Sequence, residues 1–353
     1  MANTSFPLND PLAVKIWAKK LYRESLKQTW AYKFMGKDSS SIIQVYDELE
    51  KSAGDRITVG LRMLLTGVGI AGDSTLEGNE EQLQFYSDNL TINQLRNAVR
   101  SGGRISDQRV PFSVREEARF ALQDWMADII DFGFVNQVVG WASTSTNLTG
   151  MQTTTTYDAE HVVYTDGRTT EATVCSGSAS AVFNLTAIDA AVAKAKTLTP
   201  RIKPVMVNGT EKYVCLLHPY QVRSMRTSTS TGQWMDITKA IYQGAKENNP
   251  IYSGALGEYN NVVLHESTRI PLTTSSGDGT AGAGNYRAVL CGAQAAFLAF
   301  GQENTGQKAI WAEEKFDYSN QLGVSAGLIW GLKKSIFNAK DFATIVINTF
   351  AKP

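Results

Sequence analysis

Apolar and polar positions alternate along 56–64 (RITVGLRML), the mark of a half-buried strand, and 85–92 (FYSDNLTI) again reads as extended chain. Between them, TGVGIAGDSTLEGNEE (66–81) is glycine-rich and acidic, with no apolar stripe on which a helix could pack. Two extended runs joined by such a tip predict a long β-hairpin. The clearest helical period follows. Pro111 and the run Ser113-Val114-Arg115-Glu116 have the form of a capping box. Ala118, Leu122, Trp125 and Ile129 then recur at helical spacing, and Phe132 closes the stripe. This predicts a helix over 113–133, about 30 Å long.

Elsewhere the pattern changes type without a regular alternation. ASTSTNLTGMQTTTTY (142–157) reads as a Ser/Thr-rich surface connection. Ala187, Ile188, Ala191 and Val192 place a helix over 185–196, and Pro219 opens a short one. A further helix is expected over 233–245, and a flexible loop over 273–284. Strands are expected at 212–217, 261–265, 287–291, 308–315, 323–332 and 342–350. Helices mixed with strands in no βαβ period indicate an α+β chain. At the start, Asp10-Pro11 is a helix opening, followed by an apolar stripe of Leu12, Ile16, Trp17 and Leu21.

With 353 residues, 43 % apolar and 19 % charged, the chain can bury a large core, and its formal net charge of zero argues against nucleic-acid binding driven by bulk charge. Charge is nonetheless uneven. Lys15, Lys19, Lys20, Arg23, Lys27, Lys33 and Lys37 face only Asp10 and Glu24, so residues 1–37 read as a basic arm. MANTSFPLND lacks the basic and apolar regions of a signal peptide, and no run approaches the ~20 apolar residues of a membrane span.

Candidate chemistry is sparse. Gly67, Gly69 and Gly72 have the G-x-G-x-x-G spacing of a dinucleotide-binding turn, but that turn needs a helix to leave it, and the acidic run after Gly72 does not supply one. His265-Glu266 opens like H-E-x-x-H, yet Arg269 stands in the place of the second histidine. Cys175, Cys215 and Cys291 have no metal-ligand spacing, and Cys215 and Cys291 sit in apolar runs as buried small hydrophobes. Cys215 with His218 reads as structural. The expectation is a protein that is not an enzyme and has no cofactor or metal. A basic arm and a projecting hairpin make poor sense in a monomer, since their apolar faces and strand edges stay uncovered.

Several long stretches resemble one family. They are LTGVGIAGDSTLEGNEEQLQFYSDNLTINQLRNAVRSGGRISDQRVPF (65–112), YVCLLHPYQVRSMRTSTSTGQWMDI (213–237) and NPIYSGALGEYNNVVLHESTRIP (249–271), with SAGLIWGLKKSIF and DFATIVINTFA within 325–351. In this order they resemble the major capsid proteins of tailed bacteriophages, in the subfamily of certain short-tailed phages and relatives. The resemblance implies the HK97-like fold: an N-terminal arm (1–52), a long hairpin or E-loop (53–112), a peripheral domain with its spine helix and the Ser/Thr-rich connection (113–184), an axial domain (185–335) and a strand returning to the peripheral domain (336–353). It implies self-assembly into the pentamers and hexamers of an icosahedral head around double-stranded DNA. An encapsulin-like cellular compartment is the alternative.

Expected partners are further copies of the chain, a separate scaffolding protein, a portal protein and packaged DNA bound without sequence preference, with a decoration protein left open and no membrane. The separate scaffold is expected because no coiled-coil segment precedes the arm. The place is the virion, assembled in the bacterial cytoplasm. The Lys–Asn cross-links of the fold's namesake find no matching motif. Candidate inter-subunit contacts are the acidic tip (Asp73, Glu77, Glu80, Glu81) and the basic return limb and exit (Arg96, Arg100, Arg104, Arg109). The arm's basic face (Lys15, Lys19, Lys20, Arg23, Lys27) is the candidate interior surface.

Overall fold

A computed structural model describes residues 29–47, 54–65, 67–111, 113–141, 152–176, 180–207, 209–228, 257–275, 282–301 and 309–353. The arm's basic face (Lys15, Lys19, Lys20, Arg23, Lys27) and the expected helix at 233–245 lie outside these residues.

After a 3-10 turn (Trp30–Phe34) come strands β1 (Met35–Gly36), β2 (Ile43–Tyr46), β3 (Arg56–Arg62), β4 (Phe85–Thr91) and β5 (Asn93–Arg100). Helices α1 (Arg104–Gln108) and α2 (Val114–Val139) follow, then β6 (Val162–Tyr164), α3 (Glu171–Ser176) and α4 (Leu185–Thr197). Next are β7 (Val205–Val207), β8 (Thr210–Leu217), α5 (Pro219–Thr227), β9 (Gly257–Tyr259), β10 (Val262–Glu266) and β11 (Leu272–Ser275). The chain closes with β12 (Gly284–Cys291), β13 (Ala296–Phe300), β14 (Ala309–Phe316), β15 (Gln321–Lys334), β16 (Ile336–Phe337), β17 (Lys340–Asp341) and β18 (Thr344–Ala351).

Two larger sheets organise these strands. A six-stranded sheet runs β1-β2-β13-β15-β14, with β5 paired to the other side of β15. An eight-stranded sheet runs β6-β18-β12-β8-β10-β9, with β11 on β12 and β7 on β8. In β12 and β18 every residue is buried, the polar Asn285, Arg287, Asn348 and Thr349 included, which is why neither shows the alternation of a half-exposed strand. The sheets share the chain differently from the ranges expected for the axial (185–335) and returning (336–353) segments. β13, β14 and β15 join the sheet that α2 packs on. β18 does not return to that sheet; it lies between β12 and β6 in the other one.

α2 is longer than its sequence pattern indicates, 26 residues or about 39 Å instead of ending at Gly133. Amphipathic spacing marks only its first half. From Gly133 through Val139 all residues are buried, polar Asn136 and Gln137 included, so the stripe disappears where the helix enters the core. Ser113 is the N-cap, but its side chain makes no cap hydrogen bond, so the expected capping box is not formed. At the other end Gly140 adopts φ +68°, and the N–H groups of Gly140 and Trp141 return to the Gln137 and Asn136 carbonyls.

Beyond this cap, Arg287 of β12 donates Nη1 to the carbonyls of Val139 (3.1 Å) and Gly140 (2.8 Å). Its Nε and Nη2 meet Glu171 Oε1 at 2.8 and 2.7 Å. Tyr157 Oη donates to the same carboxylate at 2.7 Å and Thr274 Oγ1 at 3.0 Å. The end of α2, the 157 segment, α3, β11 and β12 thus meet on one buried charge pair.

The β3–β4 hairpin is rooted separately. Ile57 and Leu90 pack with Phe297, Ala299 and Phe337 in a small second core. Asp88, buried in β4, binds Lys333 Nζ of β15 and accepts the Ile336 N–H at 3.2 Å. The other end of the described N-terminal segment is held by Asp131 of α2, whose two carboxylate oxygens accept the Trp30 and Ala31 N–H groups at 3.0 and 2.8 Å.

Two predictions concern the α2 terminus. A Cβ at position 140 would stand 2.9 Å from the Thr155 carbonyl oxygen in a left-handed backbone, so Gly140→Ala should cost about 2 kcal/mol in urea unfolding of the free subunit. Glu171→Gln leaves the Arg287 guanidinium buried beside a neutral group and should cost about 3 kcal/mol near neutrality. Burial alone raises the Glu171 carboxyl, but the Arg287 charge and hydrogen bonds from Tyr157, Arg287 and Thr274 outweigh it and hold the group below 4.5. A depressed folded-state carboxyl stabilises above its unfolded value and loses that contribution as pH falls through the folded one. The difference between wild type and Glu171→Gln should therefore persist down to about pH 4.5 and close below it. A difference that stays flat far into acid would show that the ion pair is not its source.

Candidate assembly surfaces

β3 and β4 pair in register from Arg56 opposite Thr91 to Arg62 opposite Phe85. The Met63 N–H extends the ladder to the Gln84 carbonyl at 3.0 Å, and the Gly67 N–H reaches Glu81 Oε2 at 2.7 Å. The two limbs therefore stay together over about a dozen residues, ~40 Å of paired chain at strand rise. The inner half touches a core, with Val59, Leu61 and Tyr86 packed beside Ile57 and Leu90 in the second cluster. Beyond it Leu64 (82 % exposed), Leu65, Val68 (104 %), Leu76, Leu83 and Phe85 all face solvent.

The tip resolves the question raised by its glycine spacing. No helix leaves Gly72; residues 71–84 contain turns and irregular chain. Gly69, Gly72 and Gly78 take φ of +77°, +70° and +89°, so the glycines serve turns. The strand–turn–helix setting of a pyrophosphate cradle is not formed.

The charged candidates separate into groups. Glu80 Oε2 accepts the Gly78 N–H at 2.8 Å, and Glu81 accepts that of Gly67, so both shape the loop. Asp73 and Glu77 are exposed and make no hydrogen bond or ion pair among the described residues. Arg96 and Arg100 are not on the limb that pairs with β3; they lie on β5, inside the six-stranded sheet. Arg104 and Arg109 begin and follow the short helix α1, exposed beside the β14–β15 turn, where Asn320 Oδ1 accepts the Arg104 N–H at 3.4 Å. The structure brings none of the basic candidates against the tip of the same chain through any hydrogen bond or ion pair among the described residues.

Residues with latent chemistry are placed for packing. All three cysteines are buried and unpaired. Burial pushes the Cys291 thiol up to about 12 and raises Cys215 further, aided by its neighbour Cys291; burial also raises Cys175. None is poised as a thiolate. His218 caps α5, accepting the Tyr220 N–H at 3.2 Å, and stacks on Tyr286 at 4.4 Å; burial lowers it to about 4. His265 sits edge-on to Trp30 and Phe34, while Arg269 binds Asp128. Among the described residues no cluster could hold a metal ion, and no helix is long and apolar enough to cross a membrane.

Sequence reasoning missed Asp88 and Asp131, which orient the hairpin and the N-terminal segment. Their partners are about 245 and 100 residues away, so no local spacing signals them.

A family model described as phage capsid protein matches residues 5–353. The major capsid protein of Pseudomonas phage KPP25 is 27 % identical over 361 residues, covering 94 % of this chain and 93 % of that protein. The solved capsid of Ralstonia phage GP4 superposes with a TM-score of 0.79 at 32 % identity, covering 100 % of this chain and 99 % of that one. The capsid of cyanophage Pam1 superposes with a TM-score of 0.73 at 21 % identity, over 92 % and 93 % of the two chains, a likeness of fold. These relatives are phage heads, which favours a phage shell over an encapsulin-like compartment. The α+β architecture is the HK97-like fold, and the chain belongs to the phage capsid protein family, a structural component of the virion.

Proposed function

We propose that this chain is the major capsid protein of an icosahedral head, closing into five- and six-membered rings around double-stranded DNA. The hairpin is the element that each copy lends to its neighbour. One observation carries this reading: a ~40 Å hairpin bares Leu64, Leu65, Val68, Leu76, Leu83 and Phe85 while only its inner half, out to Leu61 and Tyr86, packs on its own chain. Covering one such side chain stabilises by about 1.5–3 kcal/mol, against about 0–1 kcal/mol for an exposed ion pair. Apolar cover therefore supplies the affinity, and charge sets the register.

The role is passive, without a catalytic step or cofactor. Assembly takes place in the host cytoplasm with a separate scaffolding protein and a portal protein, and the basic arm (Lys15, Lys19, Lys20, Arg23, Lys27) lies on a partner subunit or near the packaged DNA. The family match, and relatives that are themselves phage capsids, support the shell role on which these partners depend.

The test is mass photometry with negative-stain microscopy on the chain expressed with and without its scaffolding partner. Shells, tubes or five- and six-membered rings are expected; a lone monomer under both conditions contradicts the reading. Replacing residues 68–80 by a short Gly-Ser turn should abolish shells yet change the urea-unfolding free energy of the free subunit by less than about 0.5 kcal/mol, because the tip is surface without core contacts.

A further inference from the structure

On the face of the six-stranded sheet turned away from α2, the hairpin root covers Phe297 and Ala299 of β13, but the part made by β5, β15 and β14 is bare. On the α2 side lie Val324, Ala326 and Leu328 of β15 with Glu313 of β14, whose carboxylate holds Arg115 of α2 at 2.8–3.0 Å. Side chains alternate along a strand, so Gly323, Ser325 and Gly327 face the other way. Their register partners on that side include Arg100, Ala98 and Arg96 of β5 and Ala312 of β14. Ala98 and Ala312 are exposed, so nothing among the described residues covers this part of the face.

Two glycines lay its long side chains flat. A Cβ at Gly327 would stand 2.9 Å from Arg96 Cγ, and one at Gly323 would stand 2.6 Å from Phe316 Cε2. The Arg96 stem thus crosses Gly327, the Phe316 ring crosses Gly323, and the Arg100 guanidinium lies 4.4 Å from the centre of that ring. Neither arginine has a carboxylate partner among the described residues. Four residues apart on one strand, their stems leave the backbone about 13 Å from each other. The result is a flat, small-residue shelf with two pre-ordered cations along one edge. Glu314 stands across Gly323 from Arg100 and would repel an acidic guest, which confines the seat to the β5 side.

We infer that this shelf seats the hairpin tip of a second copy of the chain, with Asp73 and Glu77 meeting Arg96 and Arg100 and Leu76 lying over Ala98. The inference rests on the shell reading and names the partner of its hairpin. Charge complementarity selects the occupant: Asp73 and Glu77 are the tip carboxylates left without a bond, beside exposed Leu76 and Val68. Glu80 and Glu81 are excluded because they hold the loop's own backbone, and Arg104 and Arg109 because they lie off the sheet face. Pre-ordering of the arginines lowers the cost of engaging them.

The test is a charge exchange read as shell yield on a gradient. Asp73→Arg with Glu77→Arg, and separately Arg96→Glu with Arg100→Glu, should each lower yield about tenfold at low salt, and the four changes combined should restore it to within about twofold. Thermal melting of each free subunit serves as the fold control. Normal assembly of either pair overturns the seat. So does a combined variant that melts like wild type and still fails to assemble, the outcome expected if the arginines serve nucleic-acid phosphates. A second measurement does not depend on charge. Leu76→Cys with Ala98→Cys should yield disulfide-linked ladders of subunits on mild oxidation of assembled shells, since the native cysteines are buried. Shells without ladders place the tip elsewhere while leaving the shell reading intact; a wild-type chain that never forms shells removes both.

Discussion

The rest of the structure depends on one buried guanidinium. Arg287 stands in a strand whose every residue is buried, and it binds the carbonyls at the end of α2 and the Glu171 carboxylate together. Those carbonyls are the negative end of a 26-residue helix dipole, so the cation answers both the dipole and the carboxylate. Such a pair is weak evidence of stability by itself, because desolvating two charges offsets much of their attraction. Its geometric consequence is larger. Losing either partner strands the other charge in the core, so α2 cannot shift along the eight-stranded sheet without breaking the cluster. Two sheets that share a helix in this way move as one body.

A rigid body matters because the functional element projects from it. The hairpin root is fixed by Ile57 and Leu90 against Phe297 and Phe337, and Asp88 ties β4 to Lys333 of β15. β5 continues from β4 into the six-stranded sheet after one residue, Ile92, so the direction of the hairpin is set by that sheet's backbone. Because the limbs run on well past Leu61 and Tyr86, the last side chains packed on the body, a small change at the root is amplified at the tip. The buried charges act on direction; in the proposed seat the exposed ones at the far end act on register.

The parts legible in the sequence were those whose signal is local. Alternation along 56–64, the turn glycines between the limbs and the capped stripe from Ser113 gave the hairpin and the first half of α2. The second half of α2 was hidden because burial on all sides erases periodicity, and Gly133 imitated a stop. Sheet membership was hidden as well. β18 reads as an apolar run equally suited to either sheet, and only its pairing with β12 and β6 decides. For the contact surface, sequence identified acidic and basic groups but could not rank them. Glu80 and Glu81 resemble Asp73 and Glu77 until the loop's backbone hydrogen bonds distinguish them. Arg96 and Arg100 gain their flat posture from Gly327 and Gly323, some 225 residues on.

A shell closed from many copies sets opposing demands on a subunit, and the distribution of charge in this chain meets them in different places. Each contact must be weak enough to be undone while the shell is corrected, which suits exposed pairs worth about 1 kcal/mol or less and screened by salt. The subunit must not yield when those contacts are strained, which suits buried pairs such as Arg287–Glu171 and Lys334–Asp341, the latter with side chains 0 % and 2 % exposed. A balanced formal charge of zero fits the same division, since identical copies with a large net charge would repel at every interface. Selection on such a protein therefore acts less on how much charge it carries than on which charges the fold hides and which it leaves for a neighbour.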